Sequence, residues 1–174
     1  MHLRTSVFTM LLVAASALQG QTPNPALAEG KAAYDQVKNN IIRMAEKMPA
    51  ADYDYKPVPE VRTFGALMAH IADAQTRFCS MVNGQAKTPD AASKKTKDEI
   101  VAALKASVAE CDTAWAGTNE SNAFTMMSAG RGQRSRLGIL MAFTVVHDNE
   151  EYGYGAMYLR SKGIVPPSSD NAGR

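Results

Sequence analysis

The chain has 174 residues, 45% of them hydrophobic and 21% charged, which excludes wholesale disorder and fits a single domain able to bury a core without cross-links. Nineteen Lys and Arg against 17 Asp and Glu give a formal charge of +2, a balance that offers no case for a nucleic-acid partner. Aromatics at 7% together with 10 Met suit packed helices better than a sheet sandwich.

Residues 1–20 read as a signal peptide rather than as part of the fold. His2 and Arg4 precede an apolar run from Val7 to Ala17, a charged start and a short hydrophobic stretch that cannot span a bilayer. Cleavage after Ala17 or Gly20 would release an exported protein, periplasmic or secreted and not membrane-embedded. No cysteine stands nearby to carry a lipid anchor. Only two histidines then remain, His70 and His147.

The rest of the chain, residues 21–168, reads as four amphipathic helices with no convincing strand, a four-helix bundle of the all-α class. Asn24 as cap and Pro25 at the first helical position open the first helix. Its apolar stripe is Leu27, Tyr34, Val37, Ile41, Met44 and Met48 at three- and four-residue spacing. Gly30 weakens its first turns by about 1 kcal/mol relative to Ala. Residues 49–62 hold three prolines and read as a loop over one bundle end. The second helix spans about Thr63 to Val82 and stops at Asn83-Gly84. After a polar connector, Thr96 and Glu99 form a capping-box pattern opening a third helix to about Trp115. Residues 117–134 read as a glycine-containing loop. The last helix runs from about Arg136 to Lys162, where Gly163 and then Pro166-Pro167 end it. Residues 169–174 read as a flexible tail.

The last helix is the informative one. On a regular helical wheel Thr144, His147, Glu151 and Tyr158 fall within about 40° of Leu140, so a histidine and a carboxylate four residues apart lie on the buried stripe. Glu150 points about 100° away, as a solvated acid. A carboxylate aimed into a core is costly unless paired, and its neighbour is a histidine at metal-ligand spacing. His70 flanks the apolar face of the second helix. Either histidine alone reads as a hydrogen-bonded core or rim residue. Taken together, His70, His147 and Glu151 form a His/His/carboxylate set suited to Zn²⁺, Ni²⁺, Mn²⁺ or Fe²⁺, with Glu151 as ligand or as general base.

The stretches MPAADYDYKPVPEVRTFGALMAHIADAQTRFC and HDNEEYGYGAMYLRSKGIVPPS, and the spacing between their histidines, resemble the DinB/YfiT-like family over about residues 34–168. The resemblance implies a four-helix bundle with an up-down-down-up path. It also implies a divalent metal held by three histidines, and activities that include thiol-dependent transfer and isomerisation. The family pattern has a second histidine on the last helix where this chain has Glu151. The change lowers the charge of the site by one and favours harder or octahedral ions, or marks a site that no longer binds metal. If the second and third helices are parallel, as the family path implies, Cys79 and Cys111 lie at nearly equal heights. Export permits a Cys79–Cys111 disulfide, whereas an antiparallel pair would hold the two apart.

The remaining features are bland. Arg131, Arg134 and Arg136 read as a solvated loop with one helix-start residue. Tyr152, Tyr154 and Tyr158 wall the site or pack the core. The leading expectation is therefore an exported, metal-dependent hydrolase or thiol-dependent transferase acting on a small molecule, with a homodimer compatible with the resemblance. A non-catalytic binding bundle with a lapsed site is its main rival. Non-covalent haem is a third reading, since no Cys-x-x-Cys-His is present for attachment.

Overall fold

Polar side chains set where the bundle helices begin. The computed structural model describes residues 24–130 and 132–170, so the leader, Arg131 and residues 171–174 lie outside the described residues. Asn24 accepts from the Ala26 N–H at the head of α1 (Pro25–Lys47). Thr63 accepts from Ala66 N–H ahead of α2 (Phe64–Val82). Thr96 and Glu99 complete a reciprocal capping box on α3 (Lys97–Ala116). Each satisfies backbone donors that a helix start leaves unpaired.

The fourth bundle helix is interrupted. Ser135 caps α4 (Arg136–Leu140), a π turn follows over Met141–Val146, and α5 (His147–Ser161) continues the same rod. The Thr144 hydroxyl donates to the Leu140 carbonyl at 2.8 Å and accepts from Trp115 Nε1 at 3.0 Å. A π turn absorbs one extra residue, so everything after it lags a regular wheel by about 100°. The buried centre of α5 is accordingly Asp148, Tyr152, Gly155 and Leu159. His147 and Glu151 shift from the middle of the stripe, where a regular wheel places them, to its edge.

Contacts fix the directions. Gly65 lies against Ile100, Gln75 bonds Ser107, and Cys79 is disulfide-bonded to Cys111 with a Cα–Cα distance of 4.9 Å, so α2 and α3 run parallel. Tyr34 reaches the Val108 carbonyl while Lys97 reaches the Glu46 and Met48 carbonyls, making α1 antiparallel to α3. Tyr158 at the far end of α5 donates to the Arg62 carbonyl, and Arg136 at the start of α4 reaches Val82, so α2 runs antiparallel to the α4–α5 rod. The path is up-down-down-up. Gly30 and Gly155 mark the closest helix approaches: a Cβ at Gly30 would stand 2.7 Å from Met141 Sδ, and one at Gly155 2.5 Å from Met44. The propensity lost at Gly30 thus permits helix contact.

Two segments depart from the sequence reading. Met126–Ala129 and Gly132–Ser135 form an antiparallel hairpin, β1 and β2, inside the span read as loop. Gly130, at φ 64°, supplies the left-handed conformation that a two-residue hairpin turn needs. β1 is exposed on alternate residues and β2 at its first three, and both strands are too brief to show periodicity. Arg136 is half-buried rather than solvated: it donates to Val82 O, Thr118 Oγ1 and Ala114 O, tying the ends of α2 and α3 to the start of α4. Arg134 is exposed. Ser169 closes a short 3-10 turn and Asp170 pairs with Lys47 at 2.6 Å, so the first residues of the expected tail are held. No helix among the described residues is long and apolar enough to cross a membrane.

Candidate metal centre

His70 sits two turns into α2, His147 opens α5 and Glu151 follows one turn later. The antiparallel packing of these helices brings the three together. His70 Nε2 stands 3.3 Å from His147 Nε2, and Glu151 Oε1 is 3.6 Å from the former and 3.7 Å from the latter. Ligands about 2.1 Å from a four-coordinate zinc stand roughly 3.4 Å apart, whereas neighbours around a small octahedral ion stand roughly 2.9 Å apart. The triangle, 3.3–3.7 Å on a side, lies nearer the first spacing, with all three atoms within reach of one ion. The other carboxylate oxygen, Glu151 Oε2, is buried with no hydrogen-bond partner, and a buried anion is stable only when something compensates it. The residues present therefore fit a divalent cation.

Behind the triangle lies a polar chain that sequence reading missed. His147 Nδ1 faces Asp148 Oδ1 at 3.1 Å. That contact places the ring proton on Nδ1 and leaves the Nε2 lone pair free for a metal. Asp148 accepts from Gln75 Nε2 at 2.7 Å, and Ser107 donates to Gln75 Oε1 at 2.7 Å. All three are almost fully buried. The disulfide joins α2 to α3 one turn beyond Gln75 and Ser107. Burial pushes the Asp148 carboxyl above the usual range, although His147 and Gln75 oppose the shift. Hydrogen bonding to Asp148 lifts His147, while burial, helped by the Arg62 charge, lowers His70. On a regular wheel Asp148 falls at the side of the helix, and only the π turn carries it inward.

The triangle is flanked by two clefts. One of about 220 Å³ is lined by His70, His147, Arg77 and the rings of Phe78 and Phe143, which stack with centroids 3.4 Å apart. The other, about 640 Å³, runs past Glu151 between the 57–62 loop and α5, where Tyr154, Met157 and Tyr158 form its wall. Tyr152 packs inward instead and accepts from the Ser168 N–H. Glu150 is exposed and accepts from Tyr154.

The fold matches solved proteins. A DinB-like protein from Bacillus subtilis, YjoA, superposes with TM-score 0.62 at 15% identity, covering 85% of this chain and 99% of that one. A mutant of mycothiol-dependent maleylpyruvate isomerase superposes with TM-score 0.54 at 18% identity, over 71% of this chain and 59% of the isomerase. At these identities the likeness concerns the fold. No curated protein matches the chain significantly. The model of the DinB superfamily matches residues 33–154, a span that includes both histidines, Glu151 and the four bundle helices in large part: the chain belongs to the DinB superfamily.

Proposed function

We propose that the protein is an exported metal-dependent enzyme that holds a divalent cation, zinc by preference, on His70, His147 and Glu151. The observation that supports this best is the convergence of three ligand atoms beside a buried carboxylate oxygen with no other partner. A cation there supplies Lewis acidity to an oxygen or sulfur of a reactant reaching it. Asp148 keeps the His147 proton on Nδ1, and the Gln75–Ser107 pair keeps Asp148 in place. Glu151 serves as the third ligand or, in place of that role, as the base that takes a proton from a reactant. Phe78 and Phe143 line one cleft beside the centre and Tyr158 lines the other. Hydrolysis is the favoured reaction class, because a cytosolic thiol cofactor is scarce outside the membrane.

The test is metal content by mass spectrometry on untagged mature protein, with His70→Ala and His147→Ala prepared in parallel. Near-stoichiometric zinc in the parent and its loss in both variants are expected. Protein that takes up no Zn²⁺, Ni²⁺ or Mn²⁺ would sink the enzyme reading. The rival, a binding bundle with a lapsed site, has its own signature: Glu151→Gln would raise stability without changing metal content. Intact mass of the secreted product tests export, with loss of residues 1–17 or 1–20 expected.

A further inference from the structure

The larger cleft has a chemical character of its own. Its volume, about 640 Å³, falls within the range of small-molecule sites. Glu151, Tyr154 and Tyr158 follow one another on a single stripe of α5, with Met157 beside them. Val61 from the facing loop and Leu67 from α2 complete an apolar trough. Tyr154 and Met157 are more than half exposed, at 53% and 57%, a cost unless a ligand covers them. Arg62 is the one cation in the lining, against the acids Glu60 and Glu151. Among the described residues no hydrogen bond or ion pair engages its guanidinium; only its backbone carbonyl is used, by Tyr158. Arg62 and the candidate ligand Glu151 line the same cleft.

We infer that this cleft binds the substrate, an elongated apolar molecule with one carboxylate, its acid group on Arg62 and its reacting end beside Glu151. The inference rests on the metal reading for the position of the reacting end. One unpaired guanidinium matches one carboxylate in fork geometry. Glu60 at the same rim opposes a doubly charged group such as a phosphate. The Val61–Met157–Tyr154 wall receives the apolar body, and Arg62 makes the choice between an acid and its neutral analogue.

The experiment titrates the untagged mature protein, first assayed for zinc, with octanoate, octanol, octylamine and octyl phosphate by calorimetry. Octanoate is expected to bind at least tenfold more tightly than octanol or octylamine. Arg62→Gln should erase that advantage, about tenfold or more for a charge-assisted pair, while leaving octanol unaffected. Arg62→Lys should restore part of it, and Met157→Ala should weaken octanoate and octanol alike. Octanoate binding that survives Arg62→Gln but disappears in zinc-free His70→Ala places the acid on the metal and overturns the proposal, leaving the metal reading intact. Arg62-dependent octanoate binding in a protein that takes up no zinc keeps the cleft assignment and removes the metal reading. Tighter binding of octyl phosphate than of octanoate, or no discrimination among the four, overturns it.

Discussion

Asp148 stands behind the proposed metal centre without being one of its candidate ligands. Its carboxylate faces His147 Nδ1 at 3.1 Å and is held from behind by Gln75 at 2.7 Å, so ring orientation and tautomer are both specified from the core. Partners of this kind are worth about 10–100-fold in metal affinity. Asp148→Asn should therefore weaken zinc binding by that factor in a chelator competition, because the amide can turn a donor toward Nδ1. Gln75→Ala should follow in the same direction by freeing Asp148. Unchanged affinity in both would mean that the pair serves packing alone.

At the scale of elements, the π turn makes an unusual prediction. Because it absorbs one extra residue, deleting Val146, 64% exposed, should convert it to regular α-helix and keep α5 in register. The deletion is expected to cost no more than about 1–2 kcal/mol, within the range of ordinary substitutions, and to retain zinc uptake. Removing Gly153, which is also exposed but lies within regular helix, should rotate Tyr158 and Leu159 out of the core and abolish cooperative melting. The opposite ranking in thermal melts would refute the role given to the π turn. The same turn explains what the sequence withheld. The caps at Asn24, Thr63 and Thr96 are local chemistry and legible in order. His70, His147 and Glu151 were legible because histidine is scarce and a buried acid is conspicuous. Asp148 was not, since its burial depends on a helical phase set by packing of Thr144 against Trp115. The hairpin escaped because four-residue strands leave no pattern to read.

For the whole molecule the parallel pair α2–α3 is the feature that sets the path, and Cys79–Cys111 cross-links it over a sequence separation of 32 residues. Closing a loop of that length in the unfolded chain corresponds to about 3–4 kcal/mol on the chain-entropy model. A Cys79→Ala/Cys111→Ala double variant should lose stability of that order in denaturant melts, as should the reduced parent. Loosening of the Gln75–Ser107 contact one turn away should accompany it, visible as faster amide exchange around residue 107. A loss below about 1 kcal/mol would mean that helix packing alone holds the pair together.

The up-down-down-up path also puts the first and last described residues, Asn24 and Asp170, at opposite poles. Asn24 bonds Glu120 at the foot of α1, whereas Asp170 meets Lys47 at its head, a helix length of about 35 Å away. The head of α1 is also the end where the 57–62 loop and the large cleft lie. A His-tag joined directly after Asp170 would start at the pole of the large cleft and offer imidazoles near the candidate ligands, while a fusion joined at Asn24 would start at the opposite pole. Placement of a label is thus a chemical variable for this protein, and immobilisation through the N-terminal side leaves the cleft facing free solution.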